Sequence, residues 1–198
     1  MSKSKELESR FERLERQLHL YQKFNRFLIR PVNLHEALQS MVTQIAEVTH
    51  ADSCLLYLIS GGELVLCAAQ GPNPGAVGEV RLRLDEGLTG WVAREKRLLA
   101  ISREAYHDPR FKFFRDLPED TFEAFLSAPV IVRNRVVGVI NLQHRSAHSH
   151  TGDEMEMLTT VGEQIGCLVA MACLNIRDFE NTNYAELALA ARLAPAKA

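Results

Sequence analysis

The chain has 198 residues, of which 46% are hydrophobic and 24% charged, with a formal net charge of -2 at pH 7. That is an ordinary globular composition, long enough for one domain with a sizeable core plus extensions, and its charge balance gives no electrostatic case for nucleic acid or an anionic membrane. The opening MSKSKELESRFERLER is too charged for a secretory leader and no apolar run reaches the roughly 18 to 20 residues of a membrane span, so a cytoplasmic protein is expected.

The first thirty residues carry a heptad. Leu7, Leu14, Tyr21 and Leu28 alternate at spacings of four and three with Phe11, Leu18 and Asn25, the pattern of a two-stranded seam. With the leucine row at d, Asn25 falls at a, where a buried Asn favours a parallel dimer in fixed register, and Arg10 at g can pair with Glu15 of a partner. The alternative is an amphipathic helix lying on its own domain, which Phe24, Phe27 and Ile29 would suit. Pro31 ends this segment and Asn33 is placed to cap the next, in which Leu34, Leu38, Met41, Ile45 and Val48 recur at helical spacing to about His50.

Two strands follow, Ser53 to Ile59 and Glu63 to Gln70, joined at Ser60-Gly61-Gly62, where glycine supplies the positive φ of a tight hairpin. GPNPGAVG (71–78) is loop, and Glu79 to Leu84 alternates as a half-exposed strand does. In DEGLTGWVAREK (85–96) Gly87 and Gly90 bracket the start of a short helix whose free amides form a ready anion or carbonyl site. Leu98 to Ile101 is a short strand, and YHDPRFKFFRDL (106–117) is a proline-punctuated turn leading into an aromatic helical segment.

Phe125 to Gln143, FLSAPVIVRNRVVGVINLQ, is a hairpin with Pro129 and Gly138 inside its strands. Both residues mark an edge, a bulge or a close approach to the backbone. Thr151 and Asp153 begin a long helix extending to about Asn183, with one seam of Met155, Gly162, Val169 and Ile176 and another of Leu158, Ile165, Ala172 and Phe179. Gly162, Gly166 and Ala170 form a small-residue ridge that lets a helix or sheet approach closely. The four cysteines, Cys54, Cys67, Cys167 and Cys173, lack metal-ligand spacing and are expected to pack as small hydrophobes, with a redox role for Cys54 or Cys67 as the alternative. His144, His148 and His150 offer three imidazoles that could hold zinc or nickel, but a solvated loop is the preferred reading.

The order of elements is α+β with a mainly antiparallel sheet. In ADSCLLYL, EGLTGWVAREKRLLAI, DPRF, FLSAPVIVRNRVVGVINLQ and the closing helix, taken in order, the chain resembles the GAF domain, a sensor module related to PAS domains, over about Leu34 to Asn175. Within that family it is similar to the sensor domains at the front of nitrogen-regulatory phosphotransferase Enzyme I and related bacterial regulators. The resemblance implies a GAF/PAS-like (profilin-like) six-stranded antiparallel sheet flanked by helices, terminal helices that pair in a homodimer, and a pocket between one sheet face and the helical excursion.

It further implies a dimerisation helix at 1–30, the domain itself at 31–176, and a signalling helix and tail at 177–198. Strand alternation puts Val139, Asn141 and Gln143 on one face and Gly138, Ile140 and Leu142 on the other. The proposed pocket floor is Ser127, Pro129, Asn141 and Gln143, beneath Trp91, His107, Asp108, Arg110, Phe111 and Phe114; the Gly138 face is expected to seat the long helix.

The cyclic-nucleotide signature of the family and the Cys-His pair that anchors a bilin are missing, and haem through His107 has no recognisable setting. No cofactor and no metal are therefore expected. The implied function is a non-enzymatic sensor that binds an unknown small metabolite and acts on a downstream signalling protein. The alternatives are a free methionine-(R)-sulfoxide reductase-like enzyme and a ligand-free structural interaction module.

Overall fold

The computed structural model describes residues 3–72, 74–111 and 122–174. Helix α1 (Lys3–Ile29) leads to α2 (Leu34–Thr49), strands β1 (Ser53–Ser60), β2 (Glu63–Gln70) and β3 (Arg81–Arg83), helix α3 (Gly87–Glu95), strands β4 (Leu99–Ile101), β5 (Ala124–Val132) and β6 (Arg135–His144), and helix α4 (Gly152–Ala172). Short 3-10 turns occupy Pro74–Ala76 and Ala105–His107. The six strands form one sheet in the order β3-β2-β1-β6-β5-β4, antiparallel at every pairing. This is the expected α+β architecture, with β3 shorter than its alternation suggested. Among the described residues no helix is long and apolar enough to cross a membrane.

Local chemistry sets the element ends. The Asn33 side chain accepts from the His35 and Glu36 amides at the start of α2, and His50 closes that helix in the left-handed region. Gly61 and Gly62, at φ 60° and 85°, turn β1 into β2. At α4 the Thr151 hydroxyl accepts from the Glu154 amide while the Glu154 carboxylate accepts from the Thr151 amide, a reciprocal cap.

The sheet divides the molecule into layers. One face packs on the second half of α1 and on α2 and α4, burying Leu20, Phe24, Leu38, Met41, Ile45, Leu56, Leu126, Ile140, Leu142, Leu158 and Ile165. Each such side chain contributes on the order of 1.5 to 3 kcal/mol when fully buried. The other face, with Tyr57, Leu64, Leu66 and Val139, is covered by α3 through Val92 and Ala93.

Pro129 sits where its missing donor does little harm. Strand β4 pairs with β5 only from Phe125 to Ser127, so beyond Ser127 that side of β5 has no strand beside it. Helix α4 lies against it instead. A Cβ on Gly162 would come to 3.0 Å from the Pro129 carbonyl oxygen, and one on Gly166 to 2.7 Å from that of Ile131. The small-residue ridge is thus the contact that lets α4 press on β5. The Gly138 face of β6 does pack with α4, through Ile140 and Leu142, but the glycine itself answers to β1: a Cβ there would strike the Tyr57 carbonyl and Leu58. It marks a close approach between strands, near the irregularity at Val130/Ile131 in the β5–β6 register.

Helix α1 changes sides along its length. Leu20 and Phe24 are buried among α2 and α4, whereas Leu7, Phe11, Leu14 and Leu18 are exposed. Asn25 is exposed and its side-chain oxygen accepts a hydrogen bond from Gln164 of α4 at 2.9 Å, so it serves this chain's own packing rather than a buried a position. The cysteine expectation needs correction as well: Cys54 is buried and Cys67 half-buried, but Cys167, on α4, and Cys173, at the cap just past its end, are exposed. The expected run of the last helix to Asn183, with Ile176 and Phe179, and the segment 177–198 lie outside the described residues.

Replacing Gly166 by Ala should lower stability by about 1 to 3 kcal/mol, because the new methyl meets backbone that cannot swing away. Gly152→Ala, with nothing within 4 Å of the added carbon, should be neutral or stabilise by a few tenths of a kcal/mol. Denaturant unfolding of the two variants checks the contrast; equal effects would contradict the proposed seat.

Candidate functional site

The DPRF turn folds on itself before it meets anything else. The Asp108 carboxylate accepts from the Arg110 amide at 2.9 Å and from its guanidinium at 2.8 and 2.7 Å. The guanidinium holds the Asp108 carboxyl below the usual carboxylate range. This clamp sets the guanidinium over the Trp91 ring, 4.7 Å from its centroid, a cation–π arrangement. Phe111, one residue on, packs against the small cluster of Leu88, Ala105 and Phe125.

Between this turn and the start of α3 is an open cavity of about 580 Å³, lined by Asp85, Glu86, Gly87, Trp91, Arg94, Pro109, Arg110 and Phe111. Gly87 opens α3 at φ 68°, a conformation that favours glycine. Gly90 lets α3 lie close to the chain leaving β3, where a Cβ would come to 2.8 Å from the Arg83 carbonyl oxygen. Two aromatic rings, two guanidiniums and two carboxylates therefore share one open, mainly polar concave surface.

The expected site residues separate into three groups. Trp91, Arg110 and Phe111 come together at the cavity, with Asp108 behind them as the clamp. Ser127 and Asn141 do share a sheet face, as alternation requires, but they are sealed under α3. The Ser127 hydroxyl donates to the Asn141 side-chain oxygen at 2.6 Å, and the Asn141 amide donates to the Thr89 hydroxyl at 2.9 Å, with all three residues buried. Pro129 and Gln143 are half-buried and do not line the cavity. His107 is exposed, its ring edge-on to Tyr106, and also lies off the cavity lining. Phe114 lies outside the described residues.

Thr89, Asp85, Glu86 and Arg94 were missed from the sequence. Thr89 shows no polar spacing that would point to Asn141, fifty-two residues away. The glycines flanking the α3 start were the available signal for the others.

The histidine loop is not the solvated segment that its composition suggested. His144, at the end of β6, is buried; its ring stacks on that of His148 with centroids 4.1 Å apart and planes 12° apart. Burial, reinforced by His148 and His150, pushes the His144 imidazole down to about 4, so it is neutral at neutral pH.

A model of the family described as GAF domain matches residues 33–169. The chain is 29% identical over 143 residues to a phosphoenolpyruvate-dependent phosphotransferase system protein of Escherichia coli K12, covering 71% of this chain and 19% of that protein. It therefore spans about a fifth of the length of the curated relative that it matches. Among solved structures it is similar to the GAF domain of a phosphoenolpyruvate-protein phosphotransferase from Coxiella burnetii, with 28% identity, a TM-score of 0.74, and coverage of 80% of this chain and 95% of that one. Free methionine-R-sulfoxide reductase from Neisseria meningitidis, solved with its substrate, shares the fold at 13% identity and a TM-score of 0.65, over 78% of this chain and 88% of that one.

Two substitutions separate the cavity from the sealed network. Trp91 is the sole tryptophan, so intrinsic fluorescence reports on the cavity; Arg110→Ala should shift its emission to the red while lowering stability by about 1 kcal/mol or less. Asn141→Ala should leave two buried hydroxyls without their partner and destabilise by about 1 to 3 kcal/mol for each, read by denaturant unfolding. Unchanged emission in the first variant, or unchanged stability in the second, would contradict these assignments.

Proposed function

The chain belongs to the GAF domain family, and from that membership we propose that it acts as a sensory and regulatory domain without catalysis of its own. In this reading it forms a cytoplasmic homodimer, binds a small metabolite or a partner, and passes the occupied state to a downstream signalling protein through its helices. The observation that carries the proposal is the change of sides along α1. Leu7, Phe11, Leu14 and Leu18, at spacings of four, three and four, remain 70%, 62%, 49% and 58% exposed. That spacing is a coiled-coil seam, and a second copy of the same stripe is its natural occupant.

The same helix then enters the core beside α2 and α4, so a change in how the sheet and α4 pack reaches the seam along one rigid element. Exposed Met171 and Leu174, at the end of α4, supply the C-terminal part of the proposed pairing. The α3 cavity is the proposed metabolite site, with Trp91 and Phe111 as apolar walls and Arg110 and Arg94 as charged ones. Likeness to phosphotransferase GAF domains supports a role alongside phosphotransfer rather than in it.

The reductase alternative finds little support in the thiols. No cysteine lines the α3 cavity, and burial pushes both the Cys54 and Cys67 thiols up, away from the reactive thiolate. A purely structural module has one observation in its favour, the Ser127–Asn141–Thr89 network that fills the space over the sheet.

Light scattering of the full chain should give a dimer, and Leu14→Glu should give a monomer with unchanged helix content by circular dichroism. A wild-type monomer at high concentration would overturn the homodimer. In a metabolite thermal-shift screen, a ligand of the α3 cavity should raise the melting temperature and alter Trp91 emission, both effects weakening in Arg110→Ala. Protein with a functioning dimer but no responsive metabolite would favour the structural module.

A further inference from the structure

We propose that His144, His148 and His150, together with the Glu154 carboxylate, form a binding site for a divalent transition-metal ion of the zinc class. One ring nitrogen from each histidine lies within 4.8 Å of the other two. They come from different places in the fold: His144 from the end of β6, His148 from the connecting loop, and His150 from the residue before the Thr151 cap of α4. Convergence of three imidazoles from separate positions is the donor set that zinc, nickel and copper accept.

The second observation lies on His150. Its Nε2 is enclosed and has no hydrogen-bond partner, whereas buried ring nitrogens are ordinarily paired. An ion would satisfy it. Glu154 Oε1 lies 3.0 Å from His148 Nε2 while Oε2 caps α4 at the Thr151 amide; the carboxylate stands outside the three-imidazole cluster and would join it as His148 turns. Three imidazoles and one carboxylate complete a four-coordinate shell.

Closing the shell asks for a small, local movement. Ligand bonds of about 2.0 to 2.1 Å require the nitrogens to draw together by roughly 1 to 1.5 Å from their present spread. His148 is the ring that must turn, because two rings stacked 12° from parallel aim their nitrogens side by side rather than at one point. It is half-exposed and belongs to the loop, so it has room to do so. The loop backbone is held meanwhile: the His148 amide donates to the Ser102 carbonyl at 2.9 Å and the Arg145 amide to the Asp52 carboxylate at 2.8 Å. An ion bound there would tie the ends of β6 and β4 to the start of α4. None of these residues lines the α3 cavity, so the site stands independently of the ligand reading given above.

The test uses the full chain, free of any affinity tag. Zinc(II) chloride is titrated by calorimetry, and cobalt(II) chloride is titrated with visible absorption as the readout. The expected result is one zinc per chain and a cobalt adduct with the intense d–d bands of a four-coordinate ion, lacking the thiolate charge-transfer band. His148→Ala and Glu154→Gln should each weaken zinc by at least the ten- to hundredfold that loss of even an outer partner costs. Glu154→Gln keeps a capping side chain at the start of α4, so its effect is read on folded protein even if a histidine variant proves unstable. No heat beyond dilution, affinity unchanged in both variants, or a cobalt–thiolate band pointing to the cysteines would each overturn the proposal.

Discussion

The arrangement depends on how closely α4 can approach β5. Where β4 stops, β5 would present bare backbone to solvent, a template for pairing with another chain. Gly162 and Gly166 remove the side chains that would hold the helix off, and the Pro129 and Ile131 carbonyls come within reach of the helix backbone. Pro129 fits the same place because no neighbouring strand asks it for a donor. With α4 seated, α2 and the second half of α1 have a surface to pack on, and the Asn25–Gln164 hydrogen bond joins α1 to α4. What is left over is the first half of α1, with an apolar stripe that no element among the described residues covers.

Much of this was legible in the chain because it depended on spacing. The period of two placed Asn141 with Gln143 on one face of β6 and Ser127 with Pro129 on one face of β5, and the glycines between β1 and β2 placed the hairpin. The small residues of α4 announced a close contact. What spacing could not disclose was the partner across the contact. Gly138 and Gly166 look alike in sequence, yet one makes room for β1 and the other for the backbone of β5. The polar pair on the sheet suggested a ligand floor, but Thr89 supplies the hydrogen bond that a ligand would have made. In α1 the heptad runs unbroken through Leu28, and only tertiary packing separates the stripe that faces outward from the part that the domain itself covers.

Two polar constellations result, held by different means. At the α3 cavity the Asp108–Arg110 clamp fixes a guanidinium against Trp91, and the aromatic wall is shaped by a turn bonded to itself. At the sheet end, the histidines owe their meeting to the capping of α4 and to loop bonds reaching Ser102 and Asp52. The sequence read as a solvated loop because serine, alanine and arginine separate the rings. The loop bonds that bring His148 onto His144, at 4.1 Å between ring centroids, exist only in three dimensions. Each constellation touches an element that contacts the sheet, and the sheet contacts α4, so both are positioned to bias the same helix layer in the proposed sensory role.

The central claim is that α1 is one helix with two environments, anchored by its own domain from Leu20 onward and completed by a second chain before that. Amide hydrogen exchange of the full chain, followed over a dilution series, tests it most directly. Residues 20–28 should be protected at every concentration, while protection of residues 7–18 should rise with concentration as chains pair. Exchange in residues 7–18 that is fast and indifferent to concentration, or equal behaviour along the whole of α1, would contradict the account.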